Sequence, residues 1–224
     1  MSYFLISCAL IIAVVDWFAV AKNWKKLEYF AKPGVIILLI VWLLINDGYQ
    51  SPTIYFLSGL LFSLVGDIFL MMPDEKFTAG LVSFLLAHLA YIRGFTIFGI
   101  NLSSGLILIS AVIGSLGFVI LKKLLNSLNL QNQGNLRLPI IVYAIIICFM
   151  LISAFSTMIT PIINWKLIPA ITVSVGAILF FISDTTLAWN RFINSLPLGR
   201  LIVIISYHLA QITITLGAGI NFLT

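Results

Sequence analysis

Residues 53–72 read TIYFLSGLLFSLVGDIFLMM, twenty residues with one charge, Asp67, set six positions before Pro73. About 20 apolar residues coiled as an α-helix match the thickness of a bilayer's hydrocarbon core. A carboxylate inside such a span costs roughly 2.5 to 3.5 kcal/mol on insertion scales, so its presence calls for a polar site that uses it. The same situation recurs at Asp16 in LIIAVVDWFAV (10–20) and at Asp184 in VGAILFFISDTTLAW (175–189). Three of the seven acidic residues therefore lie inside apolar stretches, each near the end of its stretch.

The rest of the chain fits the same reading. Of 224 residues, 62% are apolar and 8% charged, where soluble domains carry about 25% charged residues. Spans are expected at 2–21, 33–46, 53–72, 77–98, 103–121, 138–158, 167–190 and 200–222, which consume most of the chain. The expected fold is all-α, a polytopic transmembrane bundle of eight helices forming a single integral membrane domain over residues 1–224. The second span is short and can borrow residues 29–32, with Pro33 at a helix start, where a proline is tolerated.

A net charge of +5 would point to nucleic acid in a soluble protein, but here the placement of the charges matters more than their sum. Lys22, Lys25, Lys26, Lys32, Lys76, Lys122, Lys123, Arg137, Arg191 and Arg200 fall in or beside the loops after spans one, three, five and seven, against Arg93 and Lys166 on the other side. Ten against two places those four loops in the cytoplasm and both termini outside. No nucleic-acid partner is implied. Cys8 and Cys148 both fall within spans, which offers neither a disulfide framework nor a zinc motif.

The Asn- and Gln-rich stretch 122–137 reads as the midpoint of a 4+4 arrangement. VGDIFL (65–70) is echoed by ISDTTL (182–187), and AHLAY (87–91) by YHLAQ (207–211). Both Asp-bearing spans run in the same direction, so a duplication would be a parallel repeat with its axis along the membrane normal.

Depth follows from a rise of about 1.5 Å per residue. Asp16 precedes Lys22 by six residues, Asp67 precedes the Pro73–Lys76 turn by six, and Asp184 precedes Arg191 by seven. The three acids form one layer roughly 9 to 11 Å inside the basic face. Lys32 is expected at nearly the same side, with His208 and Gln211 slightly deeper and His88 and Tyr91 deeper still. Gly59, Ser63 and Asp67 follow at i, i+4, i+8, and so do Gly176, Phe180 and Asp184. Such stripes let neighbouring helices approach. One polar pocket lined by spans one, two, three, four, seven and eight would gather nearly every buried ionisable residue. Two matched acids on facing helices are the candidates for chemistry, whereas Asp16 is equally well explained as a structural partner of Lys22 or Lys32.

Several intramembrane chemistries fail on the residues. Rhomboid-type proteases need Gly-x-Ser-Gly, but Phe56-Leu57 precedes Ser58-Gly59. Presenilin-type proteases use Gly-x-Gly-Asp, and Leu64 stands at the first glycine position. Zinc-dependent ceramidase-like hydrolases need at least three histidines, and this chain has two. A metal held by two His and one or two Asp stays formally open, though no paired spacing supports it, and no metal or other cofactor is expected.

Lys32-Pro33, Gly66-Asp67 followed by LMMP (70–73), His88-x-x-Tyr91, Ser183-Asp184 and Tyr207-x-x-x-Gln211 together resemble the YhhN-like lysoplasmalogenase family, in order and spacing over the whole chain. His208 falls outside that pattern. The resemblance implies hydrolysis of the vinyl ether bond of lysoplasmalogens, which releases a fatty aldehyde and glycerophosphoethanolamine or glycerophosphocholine. It implies a single-chain membrane lipid as substrate and residence in a bacterial cytoplasmic membrane; a homo-oligomer is not indicated. Vinyl ether cleavage needs an acid to protonate carbon and a base to activate water, and two carboxyls can divide that work as they do in glycosidases. Asp67 and Asp184 are the expected catalytic pair. Asp16 and Lys32 would tune them or meet the phosphate, and Ser63, His88, Tyr91, Ser183, Tyr207, His208 and Gln211 would support the substrate or orient water. The rival reading is a proton-coupled transporter of small solutes or lipids that uses the same acids.

Overall fold

Hydrocarbon offers backbone N–H and C=O groups no water, so each spanning segment must satisfy its own hydrogen bonds and becomes a helix. The computed structural model describes residues 3–72, 76–100, 102–159 and 164–223. Eight helices account for most of them: α1 (Phe4–Ala21), α2 (Lys25–Ile45), α3 (Thr53–Met71), α4 (Phe77–Thr96), α5 (Ser104–Leu130), α6 (Arg137–Ile159), α7 (Leu167–Phe192) and α8 (Gly199–Phe222). All eight are long and apolar enough to cross a membrane, and there is no strand among the described residues.

The helices pack as neighbours in sequence, α1 on α2, α3 on α4 and α7 on α8, with α8 also touching α1, α2 and α3 and α6 bridging α4, α5 and α7. α5 is outermost: Ile107, Leu108, Val112, Leu116, Phe118 and Val119 are all exposed on it, as suits side chains that face lipid.

Glycine sets the closest approaches. A Cβ on Gly59 of α3 would lie 2.2 Å from the Tyr91 ring of α4, and one on Gly66 would lie 2.7 Å from Phe84. On the other pair, a Cβ on Gly176 of α7 would lie 2.7 Å from the Ile214 side chain and 3.0 Å from its backbone nitrogen. The small-residue stripe expected at 59–67 thus seats α4, and Gly176 seats α8, as small residues do between membrane helices.

Three expectations need correction. α2 begins at Lys25, not near residue 33, and Pro33 lies inside it. Proline cannot donate to the carbonyl four residues back, which here belongs to Tyr29, exposed near the helix start, where polar surroundings can serve that carbonyl. α5 runs on through the Lys122–Lys123 pair to Leu130, because lysine, leucine and asparagine extend a helix once it leaves the hydrocarbon. Five spans precede the 122–137 stretch already by their expected bounds, 103–121 being the fifth, so that stretch is not the midpoint and a 4+4 division would fall between α4 and α5. Of the expected Pro73–Lys76 turn, residues 73–75 lie outside the described residues.

Gly176→Val should lower the unfolding temperature in detergent by several degrees, since overpacking against backbone costs about 1–3 kcal/mol. Gly114→Val, whose added Cβ meets nothing within 4 Å, should leave it in place.

Candidate active site

The acid of α3 is the more enclosed. Asp67 is fully buried, and the Lys32 ammonium of α2 stands 2.9 Å from its Oδ1. The Tyr207 hydroxyl of α8 donates to Oδ2 at 2.6 Å. The same Lys32 nitrogen lies 5.7 Å from the Tyr207 ring centre, within range of a cation–π attraction. One carboxyl thereby ties three helices, and each partner is held by the other two.

The acid of α7 has a different setting. His88 of α4 places Nε2 3.0 Å from Asp184 Oδ2, and the Tyr143 hydroxyl of α6 donates to that same oxygen. His88 Nε2 is also 3.0 Å from the Tyr143 hydroxyl, so the three groups form a closed ring of mutual contacts. The Asp184 side chain is 11% exposed while His88 is fully enclosed. The exposure faces a largely apolar cleft whose walls include Leu70, Phe84, Leu121, Ile147 and Phe181.

Phe180 separates the two clusters. Its ring centre is 4.7 Å from His88 and 5.6 Å from Tyr207, edge-on to both, and it is itself fully buried. Asp184 is still near enough to act on Asp67 electrostatically. The partners are exchanged between helix pairs: Asp67 of α3 takes Tyr207 of α8, and Asp184 of α7 takes His88 of α4.

The remaining expected residues sort by contact. The Tyr91 hydroxyl donates to Gln211 Oε1 at 2.6 Å and lies beside Ser63, which is fully buried. Asp16 pairs with neither Lys22 nor Lys32 at contact distance; His208 Nε2 is 4.0 Å from its Oδ2, and both side chains are fully buried. Lys32 and Asp67 are within its electrostatic reach, which keeps Asp16 beside the site. Ser183 departs from expectation, because its hydroxyl donates to the Val203 carbonyl of α8 at 3.1 Å. It fastens α7 to α8, since the position before Asp184 points to the neighbouring helix. Among the described residues no three His, Cys, Asp or Glu side chains converge as metal ligands would.

Tyr143 was not among the expected residues, and α6 not among the expected walls. A signal was present: Tyr143 follows Arg137 by six residues, the same interval that sets the depth of Asp16 and Asp67. Asking for any polar side chain at that depth, and not for ionisable ones alone, finds it.

Buried acids with cross-helix partners thus stand beside an apolar cleft in a bundle of membrane-spanning length. The chain belongs to the YhhN family, whose model matches residues 27–218. It is 30% identical to the lysoplasmalogenase TMEM86B of Mus musculus over 96% of this chain and 84% of that protein. The Homo sapiens and Rattus norvegicus lysoplasmalogenases TMEM86B are each 29% identical, the former over 97% of this chain and 85% of its own length, the latter over 88% and 74%. No solved structure matches the chain.

Removing one partner of a buried ion pair leaves the other charge uncompensated, at a cost of about 3–5 kcal/mol. Lys32→Met should therefore lower stability far more than Lys25→Met, and adding Asp67→Asn to Lys32→Met should recover part of the loss in a detergent unfolding titration.

Proposed function

We propose that this protein is a lysoplasmalogenase that hydrolyses the vinyl ether bond of a lysoplasmalogen within the membrane. The observation that carries the reading is the Asp184–His88–Tyr143 ring opening onto an apolar cleft. A hydrocarbon tail lying in that cleft brings the double bond beside a proton source. The named activity of the mouse, rat and human relatives supports it.

The chemistry divides between the two acids. The Asp184 ring delivers a proton to the β-carbon of the vinyl ether: a C–H bond forms from the π electrons, and positive charge appears on the carbon bearing oxygen. Water adds to that carbon and gives its proton to Asp67, the carboxylate ion-paired with Lys32. The resulting hemiacetal then collapses: its hydroxyl proton returns to the Asp184 cluster, its bond to the glycerol oxygen breaks, and that oxygen takes the proton held by Asp67 as the aldehyde leaves. The balance is one water consumed, and one aldehyde and one glycerophosphodiester formed. Positioned acid and base groups each contribute about 10² to 10⁴ in rate.

Tyr207 orients Asp67, and Tyr91, Gln211 and Ser63 line the approach beneath it. Asp16 and His208 support Lys32 from the side. The eight helices act as one membrane domain, with the basic loops cytoplasmic and both termini outside, in keeping with the ten-to-two placement of Lys and Arg. A cytoplasmic membrane of a bacterium fits that orientation. A proton-coupled transporter of small solutes would also need buried acids but would have no need of an apolar cleft ending at one of them, and a lipid transporter would release no aldehyde.

Purified protein mixed with lysoplasmenyl ethanolamine should release free fatty aldehyde. In heavy water the aldehyde should carry deuterium on the carbon next to its carbonyl, and the reaction should slow. Lysophospholipid with an ester in place of the vinyl ether should release no aldehyde. Absence of aldehyde from the vinyl ether lipid would favour the transporter.

A further inference from the structure

A second, polar cleft lies at the basic face, one helical turn above the Lys32–Asp67 pair, and neither catalytic cluster uses it. It lies open between the start of α2, the end of α3 and the start of α8, lined by Lys25, Glu28, Tyr29, Arg200 and the Leu70–Met72 segment. Its charges are of both signs. Arg200 donates through Nη2 to both Glu28 oxygens, at 3.1 and 2.8 Å, and through Nη1 to Asn23 Oδ1 at 3.0 Å. Both partners in that pair are accessible, Arg200 at 54% and Glu28 at 19% of the side chain.

The register of α2 links this cleft to the acids. Lys25, Glu28, Tyr29 and Lys32 follow at i, i+3, i+4 and i+7, so they share a face that descends from the rim to Asp67. On α3, Leu70 and Met71 stand one turn above Asp67, and Leu70 also lines the apolar cleft at Asp184. The two clefts therefore meet at one side chain. One helical turn is about 5.4 Å. In a glycerophospholipid the phosphorus and the sn-1 oxygen are separated by five single bonds, about 6 Å when extended.

We propose that this cleft binds a zwitterionic phosphodiester head group, with Arg200 and Lys25 taking the phosphate and Glu28 taking the ammonium. The phosphate displaces Glu28 from Arg200, and Glu28, freed from its partner, turns to the amine that the phosphate carries with it. A phosphate held there sets the sn-1 oxygen at the depth of Asp67, and the chain beyond it passes Leu70 into the apolar cleft. The proposal rests on the lysoplasmalogenase reading for its substrate but not for its test, which needs no turnover.

The test uses the full-length Asp184→Asn protein in detergent, titrated with tail-free glycerophosphoethanolamine and, separately, with glycerol 3-phosphate, which lacks the amine. Arg200→Gln should weaken binding of both by about tenfold or more, the loss of one charge-assisted contact, and Lys25→Gln should weaken both to a lesser degree. Glu28→Gln should weaken glycerophosphoethanolamine while glycerol 3-phosphate binds as well as before or better, because Arg200 is then unengaged. Equal effects of Glu28→Gln on the two ligands would overturn the ammonium site. Unchanged binding in Arg200→Gln and Lys25→Gln, or no saturable binding of the zwitterion at all, would overturn the cleft. Saturable binding with this pattern, together with no aldehyde release by the wild-type protein, would retain the cleft and remove the hydrolase; aldehyde release by the wild-type protein without such binding would do the reverse.

Discussion

A charge buried among membrane helices must find its counter-charge or its hydrogen bonds on another helix, because hydrocarbon supplies neither. The Lys32–Asp67 ion pair at 2.9 Å answers that constraint, and much of the bundle follows from it. Lysine must descend from the basic face on α2, which requires the helix to start early enough for Lys32 to lie inside it. Tyr207 must arrive from α8 to occupy the second carboxyl oxygen. Helices α2, α3 and α8 are thus fixed relative to one another by a polar contact, in a medium where apolar packing alone discriminates poorly between arrangements.

The second acid is handled differently, and the proposed division of roles between the acids rests on that difference. Asp184 has no cation at contact distance among the described residues; its partners are an imidazole and a phenol, groups that can give and take protons. It also reaches a surface that a lipid chain can occupy. Asp67 is enclosed, with Lys32 at one carboxyl oxygen and Tyr207 at the other. Phe180 lies edge-on between the partners of the two acids, so the clusters share a wall without merging. A vinyl ether has the same asymmetry, a carbon that needs a proton and a neighbouring carbon that needs water.

Much of this was legible in the chain. The eight helices follow from apolar run length, and the burial of Asp16 and Asp67 from their place inside apolar runs. What counting could not supply was who pairs with whom. Exchange of partners between α3–α4 and α7–α8 depends on tertiary packing, which no spacing along one helix records. Tyr143 escaped because a phenol in an apolar span reads as a packing residue until a carboxylate is placed against it. Pro33 misled because proline usually marks a helix start, whereas here the carbonyl it leaves without a donor lies near the exposed end of α2. Ser183 was assigned by its neighbour in sequence, although adjacent positions on a helix point about 100° apart.

The claim on which the rest depends is that the two buried acids perform the hydrolysis and do not merely hold the helices. The direct measurement is aldehyde release from lysoplasmenyl ethanolamine by purified Asp67→Asn and Asp184→Asn, each shown by its unfolding transition to be folded. The account predicts that turnover falls by about 10² or more in both, with the protein otherwise intact. Turnover at the wild-type rate in either variant would contradict it.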